Sequence, residues 1–334
     1  MPDGFTLLLI LVLVLAVGFD YINGFHDTAN AIATSVSTRA LRPSHAILMS
    51  ATANFVGALT GTAVAKTIAS GIATIPSGDD GQIIVAAALV GAITWNLVTW
   101  RLGIPSSSSH ALIGGIIGSA IASSGLQSLN SQGIFDKVVV PLVASPILGV
   151  LVGFTLMVLL LNVFRHAHPK RINDRFRRLQ LVSAAFMAFS HGSNDAQKTM
   201  GIITIALVAG GVIPEPIVPL WVILLAASAM SLGTAAGGWR IMKTMGQRVV
   251  KLDPVHGFAA ETTAATIIIG ASHFGMPVST THVISSAIIG VGASDRLSAV
   301  RWGVAGNIVT AWILTIPASG AVGWLAWQVL SRFL

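Results

Sequence analysis

The chain has 334 residues, of which 54% are apolar and 9% charged, against roughly 25% charged in an ordinary soluble domain. That balance excludes a sizeable water-soluble domain, and the absence of cysteine excludes disulfides, thiolate metal centres and thiol redox chemistry. The net charge of +7 does not point to nucleic acid, because 15 of the 19 Lys and Arg residues sit in five short stretches between apolar runs.

Those stretches are Arg39–Arg42, Arg101, Arg165–Arg178, Arg240–Lys251 and Arg296–Arg301, which the positive-inside rule reads as cytoplasmic loops. Loops at 70–82, 125–136 and 210–219 hold no Lys or Arg and belong outside. In chain order, Phe5–Thr38 runs inward as a retained first helix, with no basic n-region or small-residue cleavage site of a signal peptide. His45–Ala69 returns outward, Ile83–Trp100 runs in, Pro105–Ser124 out and Val138–Phe164 in. Residues 165–180 form a basic cytoplasmic linker. The second half then runs Leu181–Ala209 outward, Leu220–Trp239 inward, Gly257–His273 outward, Pro277–Ala293 inward and Trp302–Leu330 outward, leaving both termini outside.

An odd number of crossings per half turns equivalent elements over. The expected fold is therefore an all-α polytopic membrane protein in the lipid bilayer, an inverted-topology repeat of 1–164 and 181–334 with broken helices and about 10–12 membrane segments. Phe5–Phe19 is 15 residues, too short to cross alone at 1.5 Å per residue, so a break is expected where the polar run Asp20–Asp27 begins. Further breaks are expected at Pro105 and Pro277, each two residues after a glycine (Gly103, Gly275).

Two polar cassettes occur twice, in the same order. GFHDTANA (24–31) precedes PSSSSH (105–110), and HGSNDAQK (191–198) precedes PVSTTH (277–282). With Asp27 aligned on Asp195, Gly24 coincides with Gly192, and each Pro-to-His motif follows at 78 or 82 residues. Matched interruptions in two halves point to a transporter site between them.

An Asp at mid-bilayer costs about 2.5–3.5 kcal/mol unless paired, so Asp27 and Asp195 are expected to bind a coupling cation or proton, helped by the amides of Asn30, Asn194 and Gln197. Ser107, Ser108, Ser109, Ser279, Thr280 and Thr281 place neutral hydroxyls at helix starts, which suits an oxyanion; small residues that merely pack helices are the competing explanation. Lys198 is expected to face the anion or Asp195, and Lys66 to snorkel near a helix end. His26 is the candidate for proton traffic, with His191 a further buried titratable group, whereas His110 and His282 orient the loops. Glu261 is a coupling candidate with no acidic counterpart at Leu89. No catalytic residue, resident metal or cofactor is expected. A hydrolase is disfavoured because Ser109 and His110 are sequence neighbours and no GxSxG elbow occurs; an anion channel would lack cation linkage.

At these residues the chain resembles the inorganic phosphate transporter (Pit) family, whose members carry a GANDVANA-type signature in each half plus P-[IV]-S-[ST]-[TS]-H loops. The resemblance covers nearly the whole chain. It implies symport of phosphate with a cation by a homodimer of inverted-repeat bundles. Asp27, Asn30, Asn194 and Asp195 would then serve the cation and the site, and the six hydroxyls would hold phosphate. Glu261 lies sixteen residues before Pro277, where a family glutamate occurs. His26 replaces the signature Asn, as in bacterial members, which implies proton rather than sodium coupling; Asn54 stands where many eukaryotic members have Glu. Similar bacterial proteins carry a neutral metal-phosphate complex, and a few relatives carry sulfate. The expected location is the bacterial plasma membrane.

Overall fold

The computed structural model describes residues 6–334, with Ser70 in its backbone only. The first predicted span begins at Phe5, outside the described residues. The described chain is helical: α1 (Leu7–Ser37), α2 (Pro43–Ala58), α3 (Ala63–Gly71), α4 (Asp79–Leu102), α5 (Ser108–Ser124), α6 (Ser131–Ile134), α7 (Val140–Val163), α8 (Pro169–Ala209), α9 (Leu220–Ala236), α10 (Trp239–Lys243), α11 (Pro254–His273), α12 (Thr280–Asp295) and α13 (Trp302–Leu330). A π-turn at Phe135–Val139 joins α6 to α7.

The predicted segments are all helical but unlike one another. α1, α4, the continuous stretch Ser131–Val163 and α13 are long and apolar enough to cross a membrane. α2 with α3, and α9 with α10 and its π-turn, form pairs bent by 71° and 59°. α5 and α12 have 17 and 16 residues, about 24–26 Å of helix, and are buried along nearly their whole length, so each is a short element enclosed by the others. The linker expected at 165–180 is helical from Pro169 and continues into α8, a helix of 41 residues.

One expected break is absent. α1 runs through Asp20–Asp27 as 31 unbroken residues, and α8 runs through its own cassette. Gly24 serves close approach instead: a Cβ there would lie 2.3 Å from the Met230 carbonyl oxygen of α9, and one at Gly192 would lie 2.2 Å from that of Asn54 in α2. The breaks at the prolines do occur. Gly103 and Gly275 follow the ends of α4 and α11 with φ of 68° and 66°, a left-handed geometry that glycine adopts without strain. They turn the chain into the two hydroxyl cassettes.

Contacts repeat with the halves exchanged. α1 packs on α9 as α8 packs on α2; α5 packs on α4 and α13 as α12 packs on α11 and α7. Two apolar cores result. One holds Leu9–Phe19 residues of α1 with Ala196–Leu207 residues of α8, the other Ala29–Ala33 of α1 with Met187 and Ala188 of α8. The polar middles of α1 and α8 lie where these cores meet.

Candidate functional site

The two hydroxyl cassettes face each other at the centre. The rings of His110 and His282 meet edge to face at 4.7 Å, and His282 stacks on Trp312 at 4.0 Å. Ser107 caps α5 by accepting from the His110 N–H at 3.2 Å, and Ser279 caps α12 through the His282 N–H at 3.2 Å. The Ser108 hydroxyl is buried and has no hydrogen-bond partner among the described residues.

The aspartate cassettes reach these loops crosswise. From α1, Asn30 Nδ2 donates to Thr281 Oγ1 at 2.9 Å. From α8, Lys198 Nζ donates to Ser109 Oγ at 2.5 Å, to the Val278 carbonyl at 3.1 Å and to Asp195 Oδ1. Thr280 Oγ1 donates to the other Asp195 oxygen at 3.1 Å. His26 Nδ1 lies 2.6 Å from Asp27 Oδ1, and its Nε2 lies 3.0 Å from Thr99 Oγ1, which accepts from Ser106 Oγ at 2.9 Å. A hydrogen-bonded path thus joins Asp27 to the first hydroxyl cassette.

The hydrogen bonds around His191 follow from its neighbours. Thr234 donates its hydroxyl proton to the Met230 carbonyl, so it accepts from Asn54 Nδ2 at 2.9 Å. Asn54 Oδ1 is left to accept from His191 Nδ1 at 3.1 Å. His191 Nε2 stands 3.4 Å from Asp195 Oδ2. One ligand atom each of Asp27, His191 and Asp195 lies within 4.8 Å of the others, and all three residues are buried. Buried ligand atoms this close form a set that suits a proton or cation between them.

Not every expected residue joins this cluster. Gln197 Oε1 accepts from the Val64 N–H at 2.8 Å at the start of α3, while its Nε2 donates to the Ser193 carbonyl at 2.6 Å, a helix-joining role. Asn194 Nδ2 donates to Ser272 Oγ at 2.8 Å and to the Met276 carbonyl at 3.3 Å, which ties the turn before α12. Glu261 forms a separate buried nest. Its Oε1 accepts from Thr34 at 2.5 Å and Gln180 at 3.0 Å, its Oε2 accepts from Ser183 at 2.5 Å, and Thr38 holds Gln180 at 2.7 Å.

The profile of the phosphate transporter family matches this chain twice, over residues 23–171 and 161–323. The chain belongs to the phosphate transporter family. Among its relatives, a protein of Bacillus subtilis described as a "Probable low-affinity inorganic phosphate transporter" is 49% identical over 98% of this chain and 99% of its own length. A protein of Rhizobium meliloti with the same description is 48% identical over 96% of each. A solved structure, "The sodium-dependent phosphate transporter", superposes with a TM-score of 0.91 at 26% identity, over 98% of this chain and all of the other. Members of this family are transporters and not enzymes.

Sequence reasoning missed three members of the site. Asp20 is fully buried beside Asn23 and Thr199, within the field of Asp195 and Lys198, and no hydrogen bond of normal geometry reaches either oxygen. It lies seven residues before Asp27 on an unbroken helix, hence on the same face; a continuous α1 was the signal that would have found it. Thr99, the partner of His26, is a neutral residue on another helix that no local pattern marks, and Asn54, the partner of His191, stands out in the sequence only as a departure from eukaryotic relatives, with no role at the site.

Proposed function

We propose that this chain is a phosphate symporter of the bacterial plasma membrane, coupling phosphate, free or as a neutral divalent-metal complex, to protons by alternating access. The observation that carries this reading is the convergence of two hydroxyl-capped helix starts on one cluster of Asp27, His191 and Asp195. Neutral hydroxyls and free helix N–H groups suit an oxyanion. The carboxylates would repel it, so they take the positive partner instead. His26, bridging Asp27 and Thr99, supports a proton in that role.

Phosphate and its cation are cargo in this reading, and no resident cofactor is required. The two family-profile matches, the exchanged helix contacts and the loop charges support inverted repeats with both termini outside and residues 165–180 in the cytoplasm. The homodimer implied by the family likeness belongs to the same proposal. Sodium coupling is the second reading, favoured by the oxygen-rich Asp27–His191–Asp195 cluster and by the sodium dependence of the superposing transporter. A sulfate permease of the same family is the variant in substrate.

Uptake of labelled phosphate into vesicles, with imposed pH or sodium gradients, tests the proposal. A pH gradient, acid on the uptake side, should drive accumulation above equilibrium, and excess sulfate should not compete. Asp27→Asn and Asp195→Asn should each abolish that accumulation while the protein still inserts. Flux that only dissipates the phosphate gradient would refute symport.

A further inference from the structure

The two aspartate cassettes differ in charge at one matched position. With Asp27 on Asp195, Lys198 stands where the first copy has Asn30. Their contacts match: Lys198 reaches Ser109 from one half, and Asn30 reaches Thr281 from the other, Ser109 and Thr281 holding the same place in their cassettes.

Lys198 is 1% exposed, and an ammonium has three N–H donors and no acceptor. Here Asp195 Oδ1, Ser109 Oγ and the Val278 carbonyl take all three. None is left for an anion. One carboxylate, one hydroxyl and one backbone carbonyl, all oxygen, form the donor set that a small hard cation takes. The side chain expected to hold phosphate thus lies in a nest of acceptors.

We infer that Lys198 is a tethered cation: its ammonium fills the position that a mobile monovalent cation would otherwise take on Asp195. Phosphate binding in this chain consequently needs one mobile cation fewer than two cassettes of the Asp–Asn type would. Asp27 and His191 are left to the coupling proton or cation that travels. This rests on the symport reading, but it fixes the number of mobile cations rather than their identity.

The test is phosphate binding by calorimetry on the purified full-length protein, with sodium replaced by choline at constant ionic strength. Lys198→Asn, which gives the second cassette the residue of the first, should bind phosphate about 5–150-fold more tightly as sodium is added, the usual span of such coupling. The slope of log affinity against log sodium should exceed that of the wild type by about one. Lys198→Arg, which keeps the charge, should retain the wild-type slope. Lys198→Gln carries the same test if the first variant does not fold. A slope unchanged in a folded variant, both against sodium at fixed pH and against pH at fixed sodium, overturns the inference, as does failure to bind phosphate at any sodium concentration or pH, because a mobile ion should replace a tethered one. Failure of the wild type to bind phosphate at all would instead overturn the symport reading.

Discussion

Ser107 and Ser108 are adjacent serines in one cassette, yet the structure gives them different tasks. Ser107 spends its oxygen on the His110 N–H, whereas the Ser108 hydroxyl is buried without a protein partner among the described residues. Truncating an N-cap serine costs about 1 kcal/mol of stability, and removing an unpartnered hydroxyl costs little. Ser107→Ala should therefore lower the melting temperature in detergent with a modest effect on phosphate affinity. Ser108→Ala should leave melting nearly unchanged and weaken phosphate binding about tenfold, the value of one hydrogen bond of roughly 1.4 kcal/mol. Equal effects of the two variants in paired melting and binding measurements would contradict this division. The same logic of partners explains why Asp195 tolerates burial: Lys198 and Thr280 engage its two oxygens.

At the scale of elements, the ends of α11 and α12 are joined outside the predicted spans. His256 Nδ1 lies 2.7 Å from Asp253 Oδ1, and its Nε2 lies 2.9 Å from Asp295 Oδ2. Burial works against a charged His256, but the bonds and charges of Asp253 and Asp295 outweigh it and hold the imidazole above its ordinary 6.5. Burial likewise pushes Asp253 up, and its bonds to His256 and Val255 outweigh that and keep it below 3.8. The His256 contribution is thus complete below its unfolded value and fades as pH rises through the raised folded one. The Asp253 contribution is present above 3.8 and fades as pH falls through its depressed value. Melting temperature should decline as pH rises from about 6 to about 8, and His256→Gln should be less stable at the acid end with a flatter profile; parallel profiles would refute the clamp. Elements were legible in the sequence to different degrees for physical reasons. Gly103 and Gly275 before Pro105 and Pro277 mark real helix ends, because backbone geometry is a local property. The interruption expected after Phe19 is absent, because Asp20, Asp27 and Gly24 meet α8 and α9 rather than lipid, and only tertiary packing settles that.

The whole molecule is a near-symmetric pair of halves, and where that symmetry fails, the two sides of the site differ. Repetition made Asp27, Asp195 and the hydroxyl cassettes legible from sequence. Residues present in one half only, such as Thr34, Gln180 and Ser183 around Glu261, carried no such signal. The positions equivalent to Gln180, Ser183, Thr34 and Glu261 are Val12, Leu15, Ile202 and Leu89, which pack in one apolar core. One set of matched positions thus makes apolar contact and the other hydrogen-bonds a buried carboxylate, which in the alternating-access reading acts as a latch on one side of the site. In the proposed topology the latch faces the cytoplasm, since Thr34 and Thr38 lead into Arg39. Because the chain has no cysteine, Ser108→Cys would introduce a single thiol at a position 2% exposed. An impermeant thiol reagent should label it slowly from either face of a sealed vesicle, and phosphate turnover should expose it to each face in alternation. Adding Glu261→Ala leaves the three donors to Glu261 unanswered, at about 1–3 kcal/mol each if they stay buried. The latched side then opens more often, and labelling from the cytoplasmic face should rise about tenfold or more while the outer face is unchanged. An equal rise on both faces would mean that Glu261 braces the bundle as a whole and latches neither side.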